Sequence, residues 1–230
     1  MYNKNAWEKY ENDSMDELMH FNDEYKQFIS YGKTERLVVK ESIELLEKHG
    51  FKPIEAFKSI KAGDKIYAIN RNKNVMAFII GKNKIESGIN VLGAHIDSPR
   101  IDLKQNPLYE SYDFALLDTH YYGGIKKYQW VTIPLALHGV VVKKDGQVID
   151  INVGEDESDP IFCITDLLIH LSADQLSKPA NKVVEGENLD VTVGSIPLKE
   201  KDKASVKQNI LKILKEKYNF EEEDFVSAEI

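Results

Sequence analysis

The run Val91-Leu-Gly-Ala-His-Ile-Asp-Ser-Pro-Arg100 constrains this chain more than any other stretch. Ile89, Val91 and Leu92 form an apolar run that ends in the small residues Gly93 and Ala94, and His95 and Asp97 follow two apart. The run reads as a buried strand over Ile89 to His95. In a strand, residues i and i+2 point to the same face. Open α/β sheets place their ligands at the C-terminal ends of their strands. An imidazole there can bind zinc through one nitrogen, and a neighbouring carboxylate can fix its tautomer. The spacing is equally that of a loop histidine paired with an aspartate for local stability, because His-x-Asp is short.

The rest of the chain sets the frame for this motif. Residues 7–31 carry Trp7, Tyr10, Met15, Leu18, Met19, Phe21, Tyr25, Phe28 and Ile29 at mostly helical spacing, a stripe suited to core packing. Thr34 to Gly50 is a second helix, with Thr34 as its cap and Gly50 at its end. From Lys65 the period changes. Lys65–Ile69 and Val75–Ile80 are strands joined by Asn-Arg-Asn-Lys-Asn.

Beyond Pro107 the texture is β-rich. Strands are expected at Trp130–Ile133, Leu135–Lys143 and Gln147–Val153, with a Lys144-Asp-Gly146 hairpin turn between the last two. Glu155–Pro160 is a polar loop. Ile164 to Leu176 reads as a short helix with Leu167, Leu168 and Leu171 inward. Leu189–Val193 and Ser195–Leu198 are strand-like, Ser205–Tyr218 is an amphipathic helix, and Phe225–Ile230 begins a last strand. The Lys/Glu patches at 199–203 and 215–224 read as solvated surface, Glu221–Asp224 as a solvated turn.

Composition excludes several classes. The chain has 230 residues, enough for one large domain or two smaller ones. A net charge of −8 and a pI near 5.4 give no clustered basic face for nucleic acid, and argue against anionic membranes. No apolar run approaches the ~20 residues that span a bilayer. Met1–Trp7 lacks an apolar signal core. The single cysteine, Cys163, lies in the apolar run Ile161–Ile164 and reads as a small buried hydrophobe. A cytoplasmic protein is expected.

The longer strings identify a family resemblance. Ala94-His-Ile-Asp-Ser-Pro-Arg-Ile-Asp-Leu-Lys104, Asn106-Pro-Leu-Tyr-Glu110 and Thr119-His-Tyr-Tyr-Gly-Gly-Ile-Lys-Lys-Tyr-Gln-Trp130 resemble the aspartyl aminopeptidase / aminopeptidase I family of zinc metallopeptidases. Pro134-Leu-Ala-Leu-His-Gly-Val-Val-Val142 and Asp166-Leu-Leu-Ile-His-Leu171 continue it, so that it covers essentially the whole chain.

The resemblance implies an α/β fold. Residues 1–97 would be the first part of an open-sheet zinc-peptidase domain. Residues 98–230 would be an inserted β-rich, barrel-like α+β domain that mediates dimer contacts. It implies a homo-oligomer, dimers assembling to a dodecamer, acting on a peptide substrate. It makes His95 a metal ligand and Asp97 its supporting carboxylate, and places His170 in a neighbouring subunit's active site. A plainer place for His170 is half-buried on an amphipathic helix. Gly123-Gly124 would serve a close approach at a site or a plain tight turn alike.

Hydrolysis by such a site takes two metals about 3.5–4 Å apart, a bridging carboxylate and a general base. Zinc is the expected metal, and cobalt or manganese also suit His/carboxylate ligands. Of the family's ligand positions only His95 matches. The other ligands and the catalytic Glu are expected beyond Ile230, which would make this chain the N-terminal portion of a longer enzyme, inactive alone. The competing reading is a non-catalytic assembly module. A Cys163 or serine hydrolase lacks support, since no Gly-x-Ser-x-Gly elbow occurs.

Overall fold

The computed structural model describes residues 5–10, 12–199 and 205–230. Most of the charged patch at 199–203, and the first four residues of the polar N-terminus, lie outside them. The chain divides into two compact units, Met1–Ser98 and Pro99–Ile230.

The first unit opens with helices α1, Asn12–Tyr31, and α2, Glu35–Lys48. Thr34 starts α2 as expected, its Oγ1 accepting from the Leu37 amide at 3.3 Å. At the other end the Gly50 amide donates to Glu47 and the Phe51 amide to Leu46, satisfying carbonyls the helix leaves open. That closure needs Gly50 left-handed, and its φ is +82°.

A three-stranded sheet follows, built from β1, Lys52–Pro53, β2, Lys65–Asn70, and β3, Asn74–Ile79, in the order β1-β2-β3. β2 and β3 form an antiparallel hairpin whose turn holds Arg71 and Asn72 left-handed. Among the described residues of this unit, only Val38, Val39, Ile66 and Tyr67 are buried hydrophobics. The core role expected for the aromatic stripe of residues 7–31 is not what the structure shows: Trp7, Phe21 and Tyr25 are more than half exposed.

The strand expected over Ile89 to His95 does not form. A strand exists by pairing, and residues 89–94 make no backbone–backbone hydrogen bond among the described residues. Their apolar side chains stand in solvent, with Leu92 fully exposed.

The second unit holds two three-stranded sheets. The first, in the order β4-β5-β8, comprises β4, Arg100–Ser111, β5, Phe114–Tyr122, and β8, Val191–Gly194. The long β4–β5 hairpin was not expected before Pro107. Its two-residue turn, Tyr112-Asp113, has both residues left-handed, the geometry that matches strand twist. Pro107 is tolerated because the register shifts between Leu103 and Leu108.

The second sheet, in the order β7-β6-β9, comprises β6, Leu137–Val142, β7, Val148–Val153, and β9, Ala228–Glu229. β6 and β7 join through the expected Asp-Gly turn. A Cβ at Gly139 would collide with the backbone of Glu229 and Ile230, so glycine is what admits β9 beside β6.

Helix α3, Ala173–Leu176, is a single turn, and α4, Ser205–Tyr218, is the amphipathic helix read from the sequence. α4 packs on β8, where a Cβ at Gly194 would sit 2.6 Å from Ile210. One buried cluster, including Leu117, Val141, Phe162, Ile164, Leu189 and Phe220, joins both sheets and α4.

Several local expectations for this unit are corrected. Trp130–Ile133 is not a strand: a 3-10 turn at Lys127–Gln129 precedes it, Thr132 is left-handed, and the Thr132 amide donates to Ile164 outside any ladder. Ile164–Leu176 is not one helix: only the 3-10 turn Ile169–Leu171 and the single turn Ala173–Leu176 form within it. Asp166 Oδ1 accepts from the Leu167 amide and from Gln175 Nε2, both at 2.8 Å, so a side chain takes the backbone bond that a helix would use. Leu167, Leu168 and Leu171 accordingly point outward, at 55–70% exposure.

Ser195–Leu198 is irregular, as Pro197 withholds an amide from any ladder. The first half of Phe225–Ile230 lies in the 3-10 helix Glu222–Ser227, and only Ala228–Glu229 pairs as a strand. Glu221–Asp224 is no solvated turn: it forms a capping box, and Asp224 is buried beside Lys143. Cys163 is half-buried. Among the described residues no helix is long and apolar enough to cross a membrane.

Candidate functional site

The His95–Asp97 pair is built by a short turn of irregular chain at the end of the first unit. His95 Nδ1 lies 2.9 Å from the carbonyl oxygen of Asp97 and 3.2 Å from its Oδ1. Both neighbours are acceptors, so the neutral ring carries its proton on Nδ1. The lone pair is then on Nε2. The imidazole is 83% exposed, whereas the carboxylate beside it is 39% exposed. One aspartate thus uses both its backbone and its side chain to hold a ring whose free nitrogen is offered outward.

The structure brings His95 and Asp97 together and leaves His170 in the other unit. His170 sits in the 3-10 turn Ile169–Leu171, exposed, among Leu168, Ile169 and Leu171, which are each about two-thirds exposed. It is on no amphipathic helix. His120 is exposed on β5, and His138 on β6 pairs with Glu155 at 2.9 Å.

One polar cluster was not singled out from the sequence. On the β4-β5-β8 sheet, the Tyr109 hydroxyl donates to Asp190 Oδ2 at 2.5 Å, and Asp190 Oδ1 accepts from the Thr119 amide at 3.3 Å. Lys104 Nζ lies 2.8 Å from Asp118 and 3.0 Å from Glu187. Burial, reinforced by the bond to Asp190, raises the Tyr109 phenol above its ordinary range. Bonds to Asp118 and Glu187 raise the Lys104 ammonium likewise. These partners lie 14 to 83 residues apart, so no local motif signals them; only the strand register does.

The sequence profile of the aminopeptidase I zinc metalloproteases (M18) matches residues 28–230. The chain belongs to that family. It is 56% identical, over 99% of its length, to a probable M18 family aminopeptidase 1 of Clostridium acetobutylicum, of which it covers 50%. Its fold matches the crystal structure of an M18 aminopeptidase from Thermotoga maritima with a TM-score of 0.93, at 45% identity, covering all of this chain and 50% of that one. Aminopeptidase I from Clostridium acetobutylicum gives a TM-score of 0.86 at 55% identity, covering 98% of this chain and 51% of that one. The chain therefore spans about half the length of the M18 relatives it matches, and its α/β fold with open sheets is theirs.

The family is one of zinc enzymes, and the donor chemistry at His95 fits that metal in kind. A neutral imidazole with Nδ1 bonded to oxygen and Nε2 open is how histidine ligates zinc. In number it does not fit: among the described residues no group of three His, Cys, Asp or Glu side chains could hold a metal ion. Among the described residues His95 therefore has no second and third side chain beside it with which to share a metal ion.

Proposed function

We propose that this chain is the His-x-Asp-bearing part of a metallo-aminopeptidase that releases N-terminal amino acids from peptides, with His95 as a metal ligand and Asp97 as the residue that positions it. The observation that carries the reading is the paired grip of Asp97 on His95 Nδ1. It fixes the tautomer that leaves Nε2 for a metal, in a chain of the M18 family. Asp97 acts through the ring and is a positioning residue. The bound metals, two zinc ions or cobalt or manganese in their place, would polarise the scissile carbonyl and acidify a water. The remaining ligands and the general base come from sequence not contained in this chain, so the site here is incomplete.

The second unit is the assembly module in this reading. Its two sheets are linked where the Leu103 amide donates to the Ile230 carbonyl at 2.9 Å. Single bridges at Leu135–Phe162 and Cys163–Thr192 link them further, and all three contacts support a barrel-like insert. The exposed leucines around His170 suit burial against a second copy. Dimers, and a dodecamer built from them, would carry His170 into a neighbouring subunit's site.

The alternative, a non-catalytic assembly module, is favoured by one observation, the absence of a three-ligand cluster among the described residues.

The test is aminopeptidase activity on chromogenic amides of Asp, Glu and Leu, with zinc or cobalt, for the chain alone and joined to the remaining half of an M18 enzyme. Activity that appears only with that half and is lost in His95→Ala supports the enzyme. Persistent inactivity of a folded, zinc-loaded assembly favours the alternative. Mixing His95→Ala with His170→Ala subunits tests the shared site. Regain of activity requires His170 to act across subunits, and no regain places it elsewhere.

A further inference from the structure

The second unit carries a partly open apolar cavity of about 180 Å³ between its two sheets and α4. Leu103, Leu117, Val153, Phe162, Val193 and Ile210 are among the side chains that form its wall. Only Lys217 and Tyr218, both on α4, bring polar side chains to it. An apolar space of roughly 150 Å³ is enough to take a benzene-sized guest. Water has nothing to bond within such walls. An empty cavity also forfeits the dispersion contacts its lining would make, so an apolar guest is favoured. Concave, mostly apolar pockets with a few convergent polar groups are where small ligands commonly sit.

The mouth adds a charge. Lys217 is exposed while lining the cavity, and it has no ion pair among the described residues; its neighbours Lys212 and Lys215 are paired with Glu216 and Glu221. We propose that this cavity binds a small amphiphilic carboxylate, its alkyl or aryl tail between the sheets and its carboxylate against Lys217. The proposal is independent of the peptidase reading, since every residue lining the cavity lies in the second unit.

Hexanoate, hexanol and hexylammonium, titrated at millimolar concentration and followed by methyl NMR and thermal shift, test it. Hexanoate and hexanol should saturate shifts of the Leu117, Val193 and Ile210 methyls and raise the melting temperature. Hexanoate should bind about two- to fivefold more tightly than hexanol, the worth of one exposed ion pair, and hexylammonium should bind most weakly. Lys217→Gln should bring hexanoate down to the level of hexanol. Val193→Phe should fill the space and abolish binding of all three; if that variant does not fold, the ranking on the native chain and on Lys217→Gln still decides. Hexylammonium binding as well as hexanoate, or shifts confined to the exposed leucines 167–171, would overturn the proposal.

Discussion

The two units of this chain handle apolar surface in opposite ways. The second gathers fourteen buried residues into one cluster that takes in both sheets and α4. Among its described residues the first buries only Val38, Val39, Ile66 and Tyr67, and leaves Ile85, Ile89, Val91 and Leu92 between 63% and 101% exposed. Burial at roughly 25 cal/mol per Å² of apolar surface is the main drive for folding. The second unit therefore carries its own stability, and the first holds in reserve much of what it could bury. The reserve lies next to His95, in the segment whose strand does not form. The candidate metal ligand and the unburied apolar run are thus neighbours in one irregular segment.

Hydrogen exchange should show the contrast at its largest. Amides of 89–94 should exchange as in an unfolded chain, and those of Ala115 and Leu117 should be protected by orders of magnitude. Joining the chain to the remaining half of an M18 enzyme should protect 89–94 and leave 115–117 unchanged. Protection of 89–94 in the chain alone would break the comparison.

The legibility of the sequence follows the same divide. α2 and its two caps, the β2–β3 hairpin, the Asp-Gly turn of β6–β7 and α4 could be read because periodicity and capping are local. The Ile89–His95 strand could not be judged, because its apolar run encodes a buried strand while pairing depends on partners that the run does not contain. Ile164–Leu176 misled for a different reason: its leucine spacing is helical, yet Asp166 takes the backbone bonds first. The β4–β5 hairpin was missed because its turn, Tyr112-Asp113, lacks the glycine that usually marks such loops. Residue type, spacing and the family resemblance singled out His95 and Asp97 as candidates. The use of the Asp97 carbonyl as well as its carboxylate depends on the backbone turn between them, which spacing alone does not encode.

Truncations measure the divide in stability. Leu189→Ala or Ile164→Ala, each at a fully buried position of the second unit, should cost about 2–5 kcal/mol. Leu92→Ala should change stability by less than about 0.5 kcal/mol, as at other exposed positions. Urea midpoints decide it, and a cost at Leu92 approaching that at Leu189 would show that the first unit uses its apolar segment after all.

In each unit a tyrosine phenol is raised. The bond to the Glu47 carboxylate, 2.7 Å away, raises Tyr67, and burial with Asp190 raises Tyr109. A folded pKa above the unfolded value of about 10 means that the folded state holds its proton longer. The contribution is intact below pH 10 and is lost as pH rises through the folded value. Stability should therefore fall above about pH 10. Tyr109→Phe should flatten that slope by removing the phenol of the well-packed unit, and Tyr67→Phe should flatten it less if the first unit is already loosened. Equal effects would mean that both units unfold as one.

Left-handed backbone gives the finest comparison. In the first unit, Arg71 and Asn72 take positive φ within a hairpin turn, where the geometry is required. In the second, Thr132 has φ +59° outside any hairpin, and a β-branched residue there is strained by about 1–3 kcal/mol. The Thr132 amide is held by Ile164 at 2.8 Å, and Ile164 is among the most buried residues of the core, so packing is what maintains the strain. Thr132→Gly should remove the clash of the Cβ, offset in part by greater freedom of the unfolded chain, for a net gain of about 0.5–1 kcal/mol. The Ile164→Ala background should shrink that gain, because a loosened core no longer enforces the conformation. An undiminished gain there would locate the strain in the turn after Trp130 itself, and would separate it from the core that distinguishes the two units.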